Sequence, residues 1–485
     1  MTTDHPPLDA NGHTPNRPAT PAQTTPDPPR TPAVPEPPPT DATPEVPRTH
    51  ATPEVLRASA KPEVPGASAA LEVPRVRAAS EVTRADIAWA GRVRGVFGRS
   101  WVMLVAVVLV ALNLRVAVTS LGAVLDQARG ELGMSTFATS TAATLPVVCF
   151  GGVALATPWL IRRVGAKTGL GLALGLLLAG LLLRVAGGEA ALLAGTFVAC
   201  AGIAVGNVLV PVIVKIEFPS RVGEVTGAYS AAMSAGAAIG AAATVPVGDV
   251  VGGWRGGLAF WSVLAAATLA IWLPLTRRRA APAEPRAAAT AMMRSPVAWA
   301  VTLLFATQSV LAFVVMAWLP TIYLDAGFHP GRAGTLLAVA LLVGVPVYFA
   351  VPVLAARLRR QGALGAAMTV IQIVGLTGLL LRPQSLPWLW AVLIGIGGGV
   401  FPLTLALFSM RTRTATDTAA LSAMAQSAGY LLAALGPFVI GVLRDVTGSW
   451  TAPVSLLIAI CVVQAALSFS AGKPRLVDVC RGERG

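Results

Sequence analysis

From residue 101 to about 470 the chain is written as twelve apolar runs, each of about 20 residues and long enough to cross a bilayer as a helix. They lie near 101–125, 139–161, 168–186, 190–214, 226–248, 256–275, 297–321, 335–356, 365–381, 387–408, 419–442 and 453–470. Backbone groups in lipid must satisfy one another, and a continuous apolar run does so as a helix. With 54% hydrophobic residues, 12% charged residues and a mean hydropathy of +0.68, a water-soluble fold is excluded. The expected fold class is all-α and membrane-embedded, with the lipid bilayer as its solvent. An even number of spans puts both ends of the bundle on one side.

Basic residues identify that side. The loops after runs 2, 4, 6, 8 and 10 carry fifteen Lys and Arg, and residues 471–485 add four. The alternate loops carry six, namely Arg129, Arg184, Arg255, Arg332, Arg382 and Arg444. The positive-inside rule therefore predicts cytoplasmic termini. The net charge of +14 arises in these short loops, because residues 1–99 hold eleven basic and eleven acidic residues. Charge spread in this way marks topology, and no nucleic-acid partner is expected.

Residues 1–95 are Pro-, Ala- and Thr-rich, with Glu45, Glu54, Glu63, Glu72 and Glu81 recurring every nine residues, each before a Val. The stretch has no apolar face and no apolar segment of signal-peptide type, so it reads as a disordered cytoplasmic tail without bearing on activity.

The rest of the chain is written twice. Asp249-Val-Val-Gly-Gly-Trp254 returns as Asp445-Val-Thr-Gly-Ser-Trp450, 196 positions later. Pro158 and Arg163 match Pro352 and Arg357 at 194, Ser234 and Gly236 match Ser427 and Gly429 at 193, and Pro211 matches Pro402 at 191. Near-constant offsets imply two copies of a six-helix unit in the same orientation, the layout of a rocking, alternating-access transporter. The expected parts are an N-terminal bundle over 96–276, a basic loop over 277–296 opening with Arg277, Arg278 and Arg279, and a C-terminal bundle over 297–470.

Within this frame Arg115 stands out, because it lies mid-way along the first run. A cation at that depth costs several kcal/mol and is by default functional, facing a cavity. Its guanidinium stays protonated and its planar fork suits small oxyanions. No Asp or Glu lies comparably deep, so the partner is expected to be the solute. On a helix Thr119 and Gly122 share the face of Arg115, while Asn113 is turned about 200° away at about 100° per residue. Arg115 and Thr119 are thus assigned to the cavity, and Asn113 to a bond with a neighbouring helix. Asn207 in the fourth run, Gln308 in the seventh and the series Ser422, Gln426 and Tyr430 in the eleventh are further candidate lining residues. Gln308 falls 194 positions after residue 114, beside the counterpart of Arg115. Tyr229 and Met233 occupy the matching face of the fifth run. Lys215 and Glu217 are assigned to the membrane interface and His329 to a solvated loop. The isolated cysteines Cys149, Cys200, Cys461 and Cys480 carry no metal or disulfide spacing. No cofactor and no catalytic set is expected, so the chain reads as a transporter and not an enzyme.

Several segments together resemble the major facilitator superfamily, and within it the cyanate and 2-nitroimidazole permease branch. They are Leu112-Asn-Leu-Arg115, Thr144-Leu-Pro-Val-Val-Cys-Phe-Gly151, Gly206-Asn-Val-Leu-Val-Pro211 with Phe218-Pro219, Gly253-Trp-Arg255, Gln308-Ser309 and Trp318-Leu-Pro320. The resemblance runs over 101–470 and implies a monomeric secondary transporter for a small anion or small polar nitrogenous solute. Two departures bear on mechanism. Val116 stands where the branch has Pro, and Ile161-Arg-Arg-Val-Gly165 lacks the Asp of the superfamily's loop, which argues against a carboxylate gate there. An efflux antiporter of the same fold is the alternative reading, and a non-transporting receptor or scaffold a second.

Overall fold

The computed structural model describes residues 75–276 and 292–477. Glu45, Glu54, Glu63 and Glu72, Arg277, Arg278, Arg279, most of the basic loop and Cys480 lie outside the described residues. The first helix, α1, covers Arg75–Leu132, so it begins within the stretch read as tail. Pro74 is the last proline before Pro146, and the Ala- and Arg-containing sequence that follows it suits a helix. The N-terminal half continues with α2 (Thr136–Ala154), the short α3 (Thr157–Val164), α4 (Ala166–Val185), α5 (Glu189–Glu217), α6 (Val222–Val251) and α7 (Gly253–Thr276). The C-terminal half holds α8 (Pro296–Asp325), α9 (Pro330–Arg357), α10 (Gly362–Leu381), α11 (Pro387–Gly397), α12 (Val400–Met410), α13 (Ala415–Thr447) and α14 (Thr451–Ala471). Among the described residues there are twelve apolar spans, with α11 and α12 sharing the tenth and the first starting at Ser100. Each falls on one of the expected runs.

The ends of these helices follow from local chemistry. Ser135 accepts from the Ala138 N–H at the start of α2, and Ser295 does the same for α8 through Ala298. His329 is exposed, and its Nδ1 accepts from Gly331 N–H at the start of α9. Thr414 and Asp417 form a reciprocal capping box on α13. The repeated Asp-Val-x-Gly-x-Trp segment is a helix stop in both halves. Gly252 and Gly448 adopt left-handed conformations (φ 103° and 65°) that end α6 and α13, where a side chain would be strained.

Repeat symmetry governs the packing. In each half the first span packs on the fifth, α1 on α6 and α8 on α13. The halves meet through α2 against α13 and α6 against α9. These contacts need small residues. Gly151 faces Leu431, Gly223 faces Pro352 and Ala356, and Gly227 faces the backbone of Phe349. All of them lie between mid-span and the end that carries the basic loops.

Candidate solute-binding site between the halves

Arg115 is half-buried, and its guanidinium makes no hydrogen bond or ion pair with a described residue. It lies over the ring of Phe401, with Cζ 5.6 Å from the centroid. Phe401 belongs to the other half, so the cation of one repeat is held on an aromatic face of its partner repeat. Phe401 in turn packs against Phe305 at 5.9 Å and Tyr348 at 6.0 Å, with the Tyr348 and Phe401 rings 32° apart. Tyr430 joins the cluster edge-on to Phe305 at 5.4 Å and tilted on Phe150 at 5.3 Å. The result is a cation without a counter-ion among the described residues, set against a cluster of aromatic rings at mid-span and at the seam of the two halves.

A break in the tenth span makes this possible. The triplet Gly397-Gly398-Gly399 marks the junction of α11 and α12, and Phe401 opens the second piece. The Gly398 N–H bonds to Ile394 and Gly395 and the Phe401 N–H to Gly398 O, a tightened turn in place of continuous helix. A Cβ on Gly398 would sit 3.4 Å from the Tyr348 hydroxyl. Irregular backbone at membrane depth is tolerated where it lines a cavity. In the N-terminal repeat the same register carries Gly206-Asn207-Val208, and α5 is unbroken there.

The other expected lining residues fall into three groups. Asn207 is buried at 8% exposure, its side chain unbonded to any described residue, while the adjoining Gly206 packs on Leu114 of α1. Gln308 is buried, and its Oε1 has no partner among the described residues. These two remain free to meet a solute. Gln426 is used structurally: its Nε2 donates to Asn207 O at 3.1 Å and to Ser422 Oγ at 2.7 Å, bridging the halves. Thr119 is turned to Gly240 of α6, where the missing Cβ leaves room, and its hydroxyl donates to the Arg115 carbonyl at 3.1 Å. Tyr229 and Met233 are buried in the main core. Asn113 makes the interhelical bond expected of it, donating to Thr268 Oγ1 at 2.8 Å. Phe401 and Tyr348 are absent from the expected set; the signal available for them is the glycine triplet inside an apolar run.

The profile of the Major Facilitator Superfamily matches residues 103–437. The chain belongs to this superfamily. It is 37% identical over 383 residues to an uncharacterized transporter, YycB, of Bacillus subtilis (strain 168), a match covering 78% of this chain and 95% of that protein. It is 34% identical over 384 residues to the 2-nitroimidazole transporter of Escherichia coli (strain K12), covering 78% and 97%. The cyanate transport protein CynX of the same organism is 32% identical over 351 residues, covering 72% and 91%. These relatives place the transporter in the cyanate and 2-nitroimidazole branch. In fold it is similar to the crystal structure of the superfamily transporter FucP in the outward conformation, with a TM-score of 0.62 and 14% identity over 75% of this chain and 98% of that one. It is a multi-pass membrane transporter of a small solute.

Two basic residues of this transporter sit differently from their expected places. Lys215, assigned to the interface, reaches across the seam from α5. Its Nζ donates to the carbonyls of Ser409 (2.7 Å) and Thr412 (2.8 Å), the unsatisfied C-terminal end of α12, while Ser409 Oγ donates back to Pro211 O at 3.1 Å. A helix C-terminus carries partial negative charge and attracts a cation. Arg184, counted with the far-side loops, is fully buried, with Nη1 donating to Ala117 O at 2.9 Å. Gly180 and Gly195 let α4 and α5 approach so closely that the Arg184 side chain is enclosed.

Proposed function

We propose that this transporter moves a small anion, or a small polar nitrogenous solute, across the cytoplasmic membrane by alternating access, with Arg115 as its main recognition group. The observation that carries the reading is the unpaired guanidinium at mid-span, held over Phe401 at the seam. A mid-membrane cation with no protein counter-ion is costly, and a bound anion offsets that cost. Rocking of the halves about the seam would expose the ion to each side in turn. On the topology implied by the basic loops both termini are cytoplasmic, and the end where the halves are bonded together faces the cytoplasm. The cyanate and 2-nitroimidazole named for its relatives are small solutes of the kind this site would accept. An efflux antiporter driven by a titrating carboxylate fits less well, because the carboxylates among the described residues lie towards helix ends, as with Asp325, Glu217 and Asp417.

The test is uptake in proteoliposomes, with and without a proton gradient, using cyanate, nitrate, formate and 2-nitroimidazole as probes. Arg115→Gln keeps a polar side chain but loses charge and fork. It is expected to weaken binding by about 1.5–3 kcal/mol, roughly ten- to hundredfold, with folding intact. Arg115→Lys is expected to restore binding only in part, since an ammonium lacks the bidentate geometry. Normal transport by both variants would show Arg115 to be structural.

A further inference from the structure

We propose that Tyr348 is the second solute-binding group, its hydroxyl donating to the same anion that Arg115 holds, so that one ion ties the two halves together. The inference rests on the Arg115 reading and adds a residue from the opposite repeat. Tyr348 lies on α9, half-buried, and its hydroxyl makes no hydrogen bond with a described residue. Its ring and the Arg115 guanidinium both pack on the Phe401 ring, at 6.0 Å and 5.6 Å from its centroid. Two donors thus contact one apolar ring, and neither bonds to a described residue. A buried phenol ordinarily finds a partner, because an unmade hydrogen bond is costly.

The room around the hydroxyl comes from the break in the tenth span. A methyl on Gly398 would fill the space beside it, in ordinary contact with the oxygen at 3.4 Å and pressing on Gly395 O at 3.1 Å. Gly398 has an ordinary helical φ of −56°, so the backbone does not require glycine. Close approach of the Tyr348 tip is what the missing side chain permits. An ion held by both donors must accept at least two hydrogen bonds, as a carboxylate, nitrate or cyanate can. A simple apolar solute would leave both donors unpaired.

The arrangement also couples binding to conformation. Arg115 moves with the N-terminal half and Tyr348 with the C-terminal half, so an ion bonded to both pulls on the seam. A solute bound by Arg115 alone would not.

The experiment uses the full chain in detergent, with thermal stabilisation by cyanate, nitrate and formate measured for wild type and variants. Wild type and Arg115→Gln first identify an ion whose effect depends on Arg115. If no ion in the panel stabilises wild type, the anion reading itself falls, and this inference with it. Tyr348→Phe then removes one oxygen while keeping the ring on Phe401. We expect about a tenfold higher apparent Kd for that ion, with the ligand-free melting temperature unchanged. Full wild-type affinity in Tyr348→Phe, for an ion that Arg115→Gln no longer binds, overturns Tyr348 and leaves Arg115 standing. Gly398→Ala supplies the second arm. It should weaken binding when Tyr348 is present and add nothing in Tyr348→Phe; equal, additive losses in both backgrounds would mean that crowding acts elsewhere and would overturn the assignment.

Discussion

The two ends of this transporter are held by different kinds of bond. At the end with the basic loops, bonds cross from one half to the other, Lys215 to Ser409 and Thr412 and Ser409 to Pro211, alongside bonds inside each half such as Lys167 with Glu217 and Arg411 with Ala471 O. At the far end, bonds of similar chemistry stay inside each half. Glu131, closing α1, accepts from the indole N–H of Trp254 at 2.7 Å and pairs with Arg255 at 3.2 Å. Asp325, closing α8, accepts from Trp450 at 2.8 Å and pairs with Arg444 at 3.0 Å. In both the arginine also lies over the tryptophan ring, at 4.4 Å and 5.4 Å. Among the described residues, every hydrogen bond between the halves lies from mid-span to the basic end. The halves can therefore part at the far end without losing a hydrogen bond, whereas parting at the basic end means breaking the Lys215 contacts. One end sets the conformation, and the other keeps each body rigid.

The largest expected effect comes from removing the join. Lys215→Met keeps chain length and loses two charge-assisted bonds, each worth about 1.5–3 kcal/mol. Even one such loss is about a tenfold shift between conformations. Gly122 lies on the Arg115 face of α1, and a side chain placed there would meet nothing within 4 Å, so it reports on the far-side cleft. In a Cys480→Ser background, with the other cysteines buried, Gly122→Cys should react with an impermeant maleimide, and more slowly once Lys215→Met is added. Unchanged labelling would mean that the apolar contacts hold the seam without the lysine.

Smaller effects are expected at the pinning end. Asp325→Asn should lower thermal stability by about 1 kcal/mol, and Glu131→Gln by less, because its side chain is 55% exposed against 39% for Asp325. Neither should alter Gly122→Cys labelling; if Asp325→Asn slows it as much as Lys215→Met, the division of labour between the ends collapses. The smallest effect concerns pH. Binding at Arg115 should vary little between about pH 5.5 and 8, apart from the solute's own titration, since guanidinium does not titrate there. A binding transition near pH 6 that belongs to the protein would point to a group outside the seam.

Much of the fold is legible in the sequence because membrane helices obey few rules. Span positions follow from apolar length, and the 191–196 offsets already contain the paired packing of α1 on α6 and α8 on α13. Helical angle alone separates Asn113 from Arg115 correctly. Angle fails at Thr119, because a short side chain settles where a neighbour is smallest, and Gly240 lies 121 positions away. Gln426 reads as lining by its face, yet it bonds to a carbonyl that only packing could bring close. Phe401 and Tyr348 are hidden among other apolar residues of their spans. Aromatic residues there read as core until a helix break turns one towards a cation. Lys215 is misplaced by its position in the sequence because its acceptors are backbone atoms, which leave no mark in composition.

That last feature bears on how the protein can change over generations. A pair of oppositely charged side chains can be lost by mutation at either position. The lysine contact across this seam presents a single side-chain target, because every residue that could replace Ser409 or Thr412 keeps a backbone carbonyl. Drift at those two positions leaves the acceptors of Lys215 in place, even where it forfeits the separate bond from the Ser409 hydroxyl to Pro211 O. The selective burden of the lysine contact falls on one codon, that of Lys215.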